Sequence, residues 1–123
     1  MSELIKILVI DDEPVIRTAV KRILENKTHY HITAVDSGRE GLEILARDSF
    51  ELVLLDIKMP DMDGLEVLRI ILSIKPEQNV IIMSGYTTKE TIKQAIDEGA
   101  SAFIEKPFTP EKLLKFIKIY HKN

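Results

Sequence analysis

The chain has 123 residues, of which 45% are hydrophobic and 30% charged, with a net charge of −3 and no cysteine. That length suits one domain with a full core, and the composition is that of a folded soluble protein rather than a disordered tail. Disulfides, thiolate ligands and cysteine nucleophiles are excluded, the acidic balance argues against nucleic-acid binding, and the lack of a basic leader or long apolar segment leads us to expect a cytoplasmic protein with no membrane contact.

In chain order, Ile7-Leu8-Val9-Ile10 reads as a strand that ends at Asp11-Asp12. Helical periodicity over residues 14–25 puts Ile16, Ala19, Val20, Ile23 and Leu24 on one face, with Pro14 at the first helical position, where its missing N–H is no loss. Residues 31–35 read as a second strand, and Ser37 with Glu40 has the spacing of a capping box opening a second helix. Leu52-Val53-Leu54-Leu55 forms a third strand ending at Asp56, and Asp63 with Glu66 marks the next helix. Val80-Ile81-Ile82-Met83 leads to Ser84. Thr87 with Glu90 is expected to open a fourth helix, carrying Ile92, Ala95 and Ile96 at helical spacing and stopping at Gly99. Ala102-Phe103-Ile104 leads to Lys106. Thr109-Pro110 then opens a last helix with Leu113, Phe116, Ile117 and Tyr120 towards the core, and no output domain is expected within residues 1–123.

Strands that are apolar on both faces and alternate with helices imply a parallel sheet covered on both sides. The expected fold is a single doubly wound α/β domain, a (βα)5 unit of flavodoxin-like type with strand order 2-1-3-4-5. In that order Asp11, Asp12 and Asp56 face one another across the crevice between the first and third strands, and Ser84 and Lys106 reach the same carboxyl edge. Three adjacent carboxylates repel one another and call for a hard divalent cation, Mg²⁺ or, as an alternative, Mn²⁺. A carboxylate can attack phosphorus to give an acyl phosphate while a metal and a lysine neutralise the equatorial oxygens, and Asp56 is the best-placed nucleophile.

The segments Ile10-Asp11-Asp12-Glu13, Leu54-Leu55-Asp56-Ile57-Lys58-Met59-Pro60-Asp61-Met62-Asp63-Gly64, Met83-Ser84-Gly85-Tyr86 and Glu105-Lys106-Pro107-Phe108 resemble the receiver domain of two-component response regulators, in order and spacing and over essentially the whole chain. The overall look is most similar to stand-alone receivers of the sporulation phosphorelay type. The resemblance implies Asp56 as phosphoacceptor, Mg²⁺ held by Asp12 directly, by Asp11 partly through water, by Asp56 and by the Lys58 carbonyl, and Lys106 paired with the phosphoryl oxygens. It implies that the Ser84 hydroxyl bonds to the phosphoryl group and that Phe103 is the aromatic that rotates in response, remodelling the face made by the fourth helix, fifth strand and fifth helix. Ser84 stands where threonine is common and Phe103 where tyrosine is frequent; Lys58 and Tyr86 occupy variable positions that affect the lifetime of the acyl phosphate. The implied partners are a sensor histidine kinase or histidine phosphotransfer protein as donor and a separate protein as target. The protein would be a signalling phosphoacceptor that promotes its own phosphorylation and dephosphorylation rather than an enzyme.

Other readings are weaker. An aspartate-nucleophile phosphatase needs a second acid two residues after the nucleophile, where this chain has Lys58. A flavodoxin-type flavin site needs a phosphate-binding loop of amides and hydroxyls where this chain has Asp11-Asp12-Glu13. A never-phosphorylated interaction module does not require the complete set of acids, nucleophile and lysine. Asp61-Met62-Asp63-Gly64 resembles part of a calcium loop but reads better as a turn and helix cap, and His29, His31 and His121 read as surface residues. Lys112, Lys115, Lys118 and Lys122 read as a solvated helix face.

Overall fold

The computed structural model describes residues 4–25, 27, 29–85 and 87–121. Five strands and five helices alternate: β1 (Ile5–Ile10), α1 (Pro14–Glu25), β2 (Tyr30–Val35), α2 (Gly38–Arg47), β3 (Leu52–Asp56), α3 (Gly64–Ile74), β4 (Val80–Ser84), α4 (Lys89–Asp97), β5 (Ala102–Glu105) and α5 (Pro110–Tyr120). The strands are parallel and ordered β2-β1-β3-β4-β5, as the alternation of apolar runs and helices implies. Among the described residues no helix is long and apolar enough to cross a membrane.

Alternation along each strand sorts the core into two layers. Ile7, Val9, Leu52, Leu54, Ile81, Met83, Ala102 and Ile104 pack against Val20 and Leu24 of α1 and Leu113 and Ile117 of α5. Leu8, Ile10, Val53, Leu55, Val80 and Ile82 pack on the opposite face against α2, α3 and α4. β3, the central strand, and its neighbour β4 are buried at every residue.

Hydroxyl and carboxylate caps start four of the helices by accepting from amides that the helix cannot satisfy. Ser37 accepts from Glu40 N, Asp63 from Leu65 N and Thr109 from Lys112 N. The fourth cap is Thr88, accepting from Thr91 N, one residue later than the expected Thr87. Ile96 also departs from expectation: α4 buries only Ala95, and Ile96 lies 42% exposed. Gly99 ends the helix as expected, at φ +117°, a conformation that side chains disfavour. Because α5 carries the fully buried Leu113 and Ile117, Thr109→Ala is expected to lower stability by about 1 kcal/mol, read as a lower urea midpoint with an unchanged slope.

Candidate functional site

β1 and β3 are neighbours, but their chains leave the sheet on opposite faces, β1 into α1 and β3 into α3, which opens a crevice at the carboxyl edge. A cavity of about 540 Å³ lies there, lined by Asp12, Asp56, Lys58, Ser84 and Lys106 together with Glu13 and Pro107. Residues 45 positions apart in the chain, Asp11 and Asp56, are brought together by the β1–β3 register. Asp11, Asp12 and Asp56 each offer an oxygen within 4.8 Å of the other two.

Asp11 forms the floor of the site. It is fully buried, and its amide donates to Val35 O at 3.1 Å, extending the β1–β2 ladder by one residue. Its carbonyl accepts from Arg17 Nη1 at 2.7 Å, and its Oδ1 accepts from Glu13 N at 2.8 Å. That last bond closes a local turn, so Asp11 does not act as a cap of α1. Oδ2 forms an ion pair with Lys106 Nζ at 2.8 Å.

Asp56 ends β3 and is 3% exposed. Its Oδ1 accepts from Lys58 N at 3.1 Å, and its Oδ2 lies 3.5 Å from Lys106 Nζ. Burial pushes its carboxyl up to about 7; the Lys58 amide opposes this, the charge of Asp11 adds to it, Lys106 opposes it, and Asp12 adds further. Burial alone would pull the Lys106 ammonium down, but its contacts with Asp11 and Glu13 outweigh that and hold it above its usual range. Three acids, Asp11, Glu13 and Asp56, thus surround one mostly buried ammonium. The clustered carboxylate oxygens and the reluctance of Asp56 to ionise both fit a hard divalent cation bound through oxygen.

The loop after β3 is pinned at both ends. Ile57 N donates to Met83 O at 3.2 Å, Gly64 N to Ile57 O at 3.1 Å, and Lys58 and Asp63 form a bridge across its base. Asp61, in the same loop, accepts from Gly38 N and Arg39 N at 3.3 and 3.2 Å and so caps α2 from outside it. On the other side Lys106 N donates to Ser84 O at 2.9 Å, and the Lys106–Pro107 peptide is cis.

The structure thus gathers Asp11, Asp12, Asp56, Lys58, Ser84 and Lys106. Phe103 stands apart from the cavity, half-buried against the α2–α4 layer and paired with Ile82. By alternation Ser84 continues the strand face of Ile82, so Ser84 and Phe103 share one side of the sheet. Tyr86 and Lys122 lie outside the described residues. Lys112, Lys115 and Lys118 are exposed. His31 is exposed, His29 stacks on Tyr30 with ring centroids 4.3 Å apart, and His121 Nδ1 meets Ile117 O at 2.8 Å; none of the three lines the site cavity.

Three contributors were not assigned from the sequence. Glu13 meets Lys106 at 2.7 Å, Arg17 holds the Asp11 carbonyl, and Asp61 ties the β3–α3 loop to α2. Glu13 directly follows the acidic pair and Arg17 follows it by one helical turn, which is the only local signal either gives.

The family model for the response regulator receiver domain matches residues 7–118. The chain is 32% identical over 115 residues to chemotaxis protein CheY of Listeria monocytogenes, covering 94% of this chain and 97% of that one. It is 34% identical to sporulation initiation phosphotransferase F of Bacillus subtilis, covering 94% and 92%. A CheY-like receiver domain protein from Methanospirillum hungatei superposes with a TM-score of 0.91 at 35% identity, over 97% of this chain and 94% of that one. Other relatives are longer, and the chain spans 24% of one response regulator it matches.

Proposed function

This chain belongs to the response regulator receiver domain family, and we propose that it accepts a phosphoryl group onto Asp56 from a phosphohistidine of a sensor histidine kinase or histidine phosphotransfer protein. The observation that carries this reading is the Asp56 carboxylate, held by the Lys58 amide at the open end of a buried acidic cluster with Lys106 Nζ 3.5 Å away. A carboxylate oxygen of Asp56 attacks phosphorus in line with the donor nitrogen. The P–N bond breaks, its electron pair stays on the imidazole nitrogen, and that nitrogen takes up a proton.

Mg²⁺, or Mn²⁺ in its place, would be held by Asp11, Asp12, Asp56 and the Lys58 carbonyl, and would supply the positive charge that offsets their repulsion and that of the incoming phosphoryl oxygens. Lys106 supports the same charge from the other side. The Ser84 hydroxyl donates to the phosphoryl group, and the shared side of β4 and β5 passes that movement to Phe103 and the α4-β5-α5 face. Output is then protein contact with a separate target in the cytoplasm. Likeness to sporulation initiation phosphotransferase F supports a relay role, and likeness to CheY supports direct action on a target.

The test is intact mass after incubation with acetyl phosphate, with Mg²⁺ or with EDTA, followed by borohydride reduction and peptide mapping. One phosphoryl addition that requires Mg²⁺, with the reduced residue at position 56, is the expected result. Addition at another residue, or none with either a small donor or a phosphorylated histidine kinase, would overturn it.

A further inference from the structure

Lys106 presents three N–H donors, and their placement is uneven. Its Nζ lies 2.7 Å from Glu13 Oε1 and 2.8 Å from Asp11 Oδ2, but 3.5 Å from Asp56 Oδ2, beyond hydrogen-bond length. The nearest of the three carboxylates is also the one at the rim: the Glu13 side chain is 55% exposed, whereas those of Asp11 and Asp56 are 0% and 5% exposed. The resting ammonium therefore leans away from the proposed nucleophile and towards a side chain that can swing into solvent.

We infer that Glu13 is a positioning residue that parks Lys106 and competes with the phosphoryl group for it. This rests on the reading of Asp56 as phosphoacceptor. A phosphoryl group on Asp56 brings acceptor oxygens and negative charge to the Lys106 side of the cavity, and drawing Nζ in from its 3.5 Å separation towards them stretches the contact with Glu13 on the rim. The exchange is local. The Glu13 backbone is held by its amide bond to Asp11 Oδ1 and by its carbonyl, which accepts from Ile16 N and Arg17 N, so only its side chain needs to move. Glu13 also lines the cavity, where its charge opposes the approach of any anionic donor.

Beryllofluoride, a phosphoryl mimic, titrated calorimetrically at saturating Mg²⁺ tests this. Glu13→Gln is expected to tighten its binding about two- to fivefold, and this gain should vanish when Glu13→Gln is made in a Lys106→Ala background. In ¹⁵N-lysine spectra of the metal-free protein, the Lys106 ammonium should be protected from exchange in the wild type and lose that protection in Glu13→Gln, with partial recovery in Glu13→Asp. Unchanged or weaker binding in Glu13→Gln, an equal gain without Lys106, or an ammonium signal indifferent to residue 13 would each overturn the inference. Wild-type protein that fails to bind beryllofluoride would instead overturn the reading of Asp56 on which it rests.

Discussion

Asp56→Asn is expected to abolish phosphoryl addition and, at the same time, to make the metal-free protein more stable at pH 8. The first effect follows from chemistry, because the amide has no anionic oxygen to attack phosphorus. The second follows from the site's electrostatics. The Asp56 carboxyl is raised to about 7, chiefly by burial, while in the unfolded chain it ionises at about 3.9. The folded state therefore holds this proton more tightly than the unfolded state. Its stabilising contribution is complete below about pH 4 and is lost as pH rises through about 7. At pH 8 a buried anion sits beside Asp11 and Asp12, at a cost of about 2–3 kcal/mol after allowing for screening through the open cavity. Asparagine removes that charge at nearly constant volume. Urea denaturation in EDTA should show the variant more stable than the wild type at pH 8, with the gap shrinking towards pH 5; a gap independent of pH would refute this account. Added Mg²⁺ should stabilise the wild type more than the variant, because binding to the folded state adds its own free energy.

Gly64→Ala should be the most damaging one-methyl change near the site. A Cβ at this position would lie 2.4 Å from Ile57 Cα and 2.5 Å from Ile57 O, so it would press on backbone that cannot rotate away. The Gly64–Ile57 hydrogen bond and the Asp63 cap hold α3 against the residue that follows Asp56, so relief must come from moving that segment. A loss of about 2–3 kcal/mol is expected, together with weaker Mg²⁺ binding because Lys58 moves with Ile57. Gly85→Ala is the matched control: its Cβ would meet Lys106 Cβ at 3.7 Å, ordinary contact, and its effect should stay within about 0.5 kcal/mol. Equal losses for the two variants in urea melts would show that the close approach at Gly64 is not the cause.

The strands and their order were legible because β3 and β4 are buried on both faces and so read as unbroken apolar runs. Asp11, Asp12, Asp56, Ser84 and Lys106 were legible for a related reason: each stands at or just beyond the carboxyl end of such a run. The start of α4 was less legible because Thr87 and Thr88 are adjacent hydroxyls, both of a type that caps helices, and Thr88 is the one that accepts from Thr91 N. Ile96 fits the helical spacing of a buried face, yet α4 rests on the sheet mainly through Ala95, and a small contact residue leaves its larger neighbour outside. Arg17, Asp61 and the Glu13–Lys106 pair depend on contacts that no local pattern encodes. Asp61 in particular lies 22–23 residues from the amides it caps.

The Glu13–Lys106 contact joins residues 93 positions apart. Translation delivers the acids of β1 and β3 well before the ammonium that faces them, and domains generally fold from the N-terminus as units. A partly synthesised chain, or one shortened ahead of β5, carries the would-be acceptor Asp56 but lacks its cationic partner, along with the strand that borders β4. The facing charges are therefore complete only once β5 and Lys106 have been made, and a chain stopped short of them holds three clustered acids with no ammonium opposite.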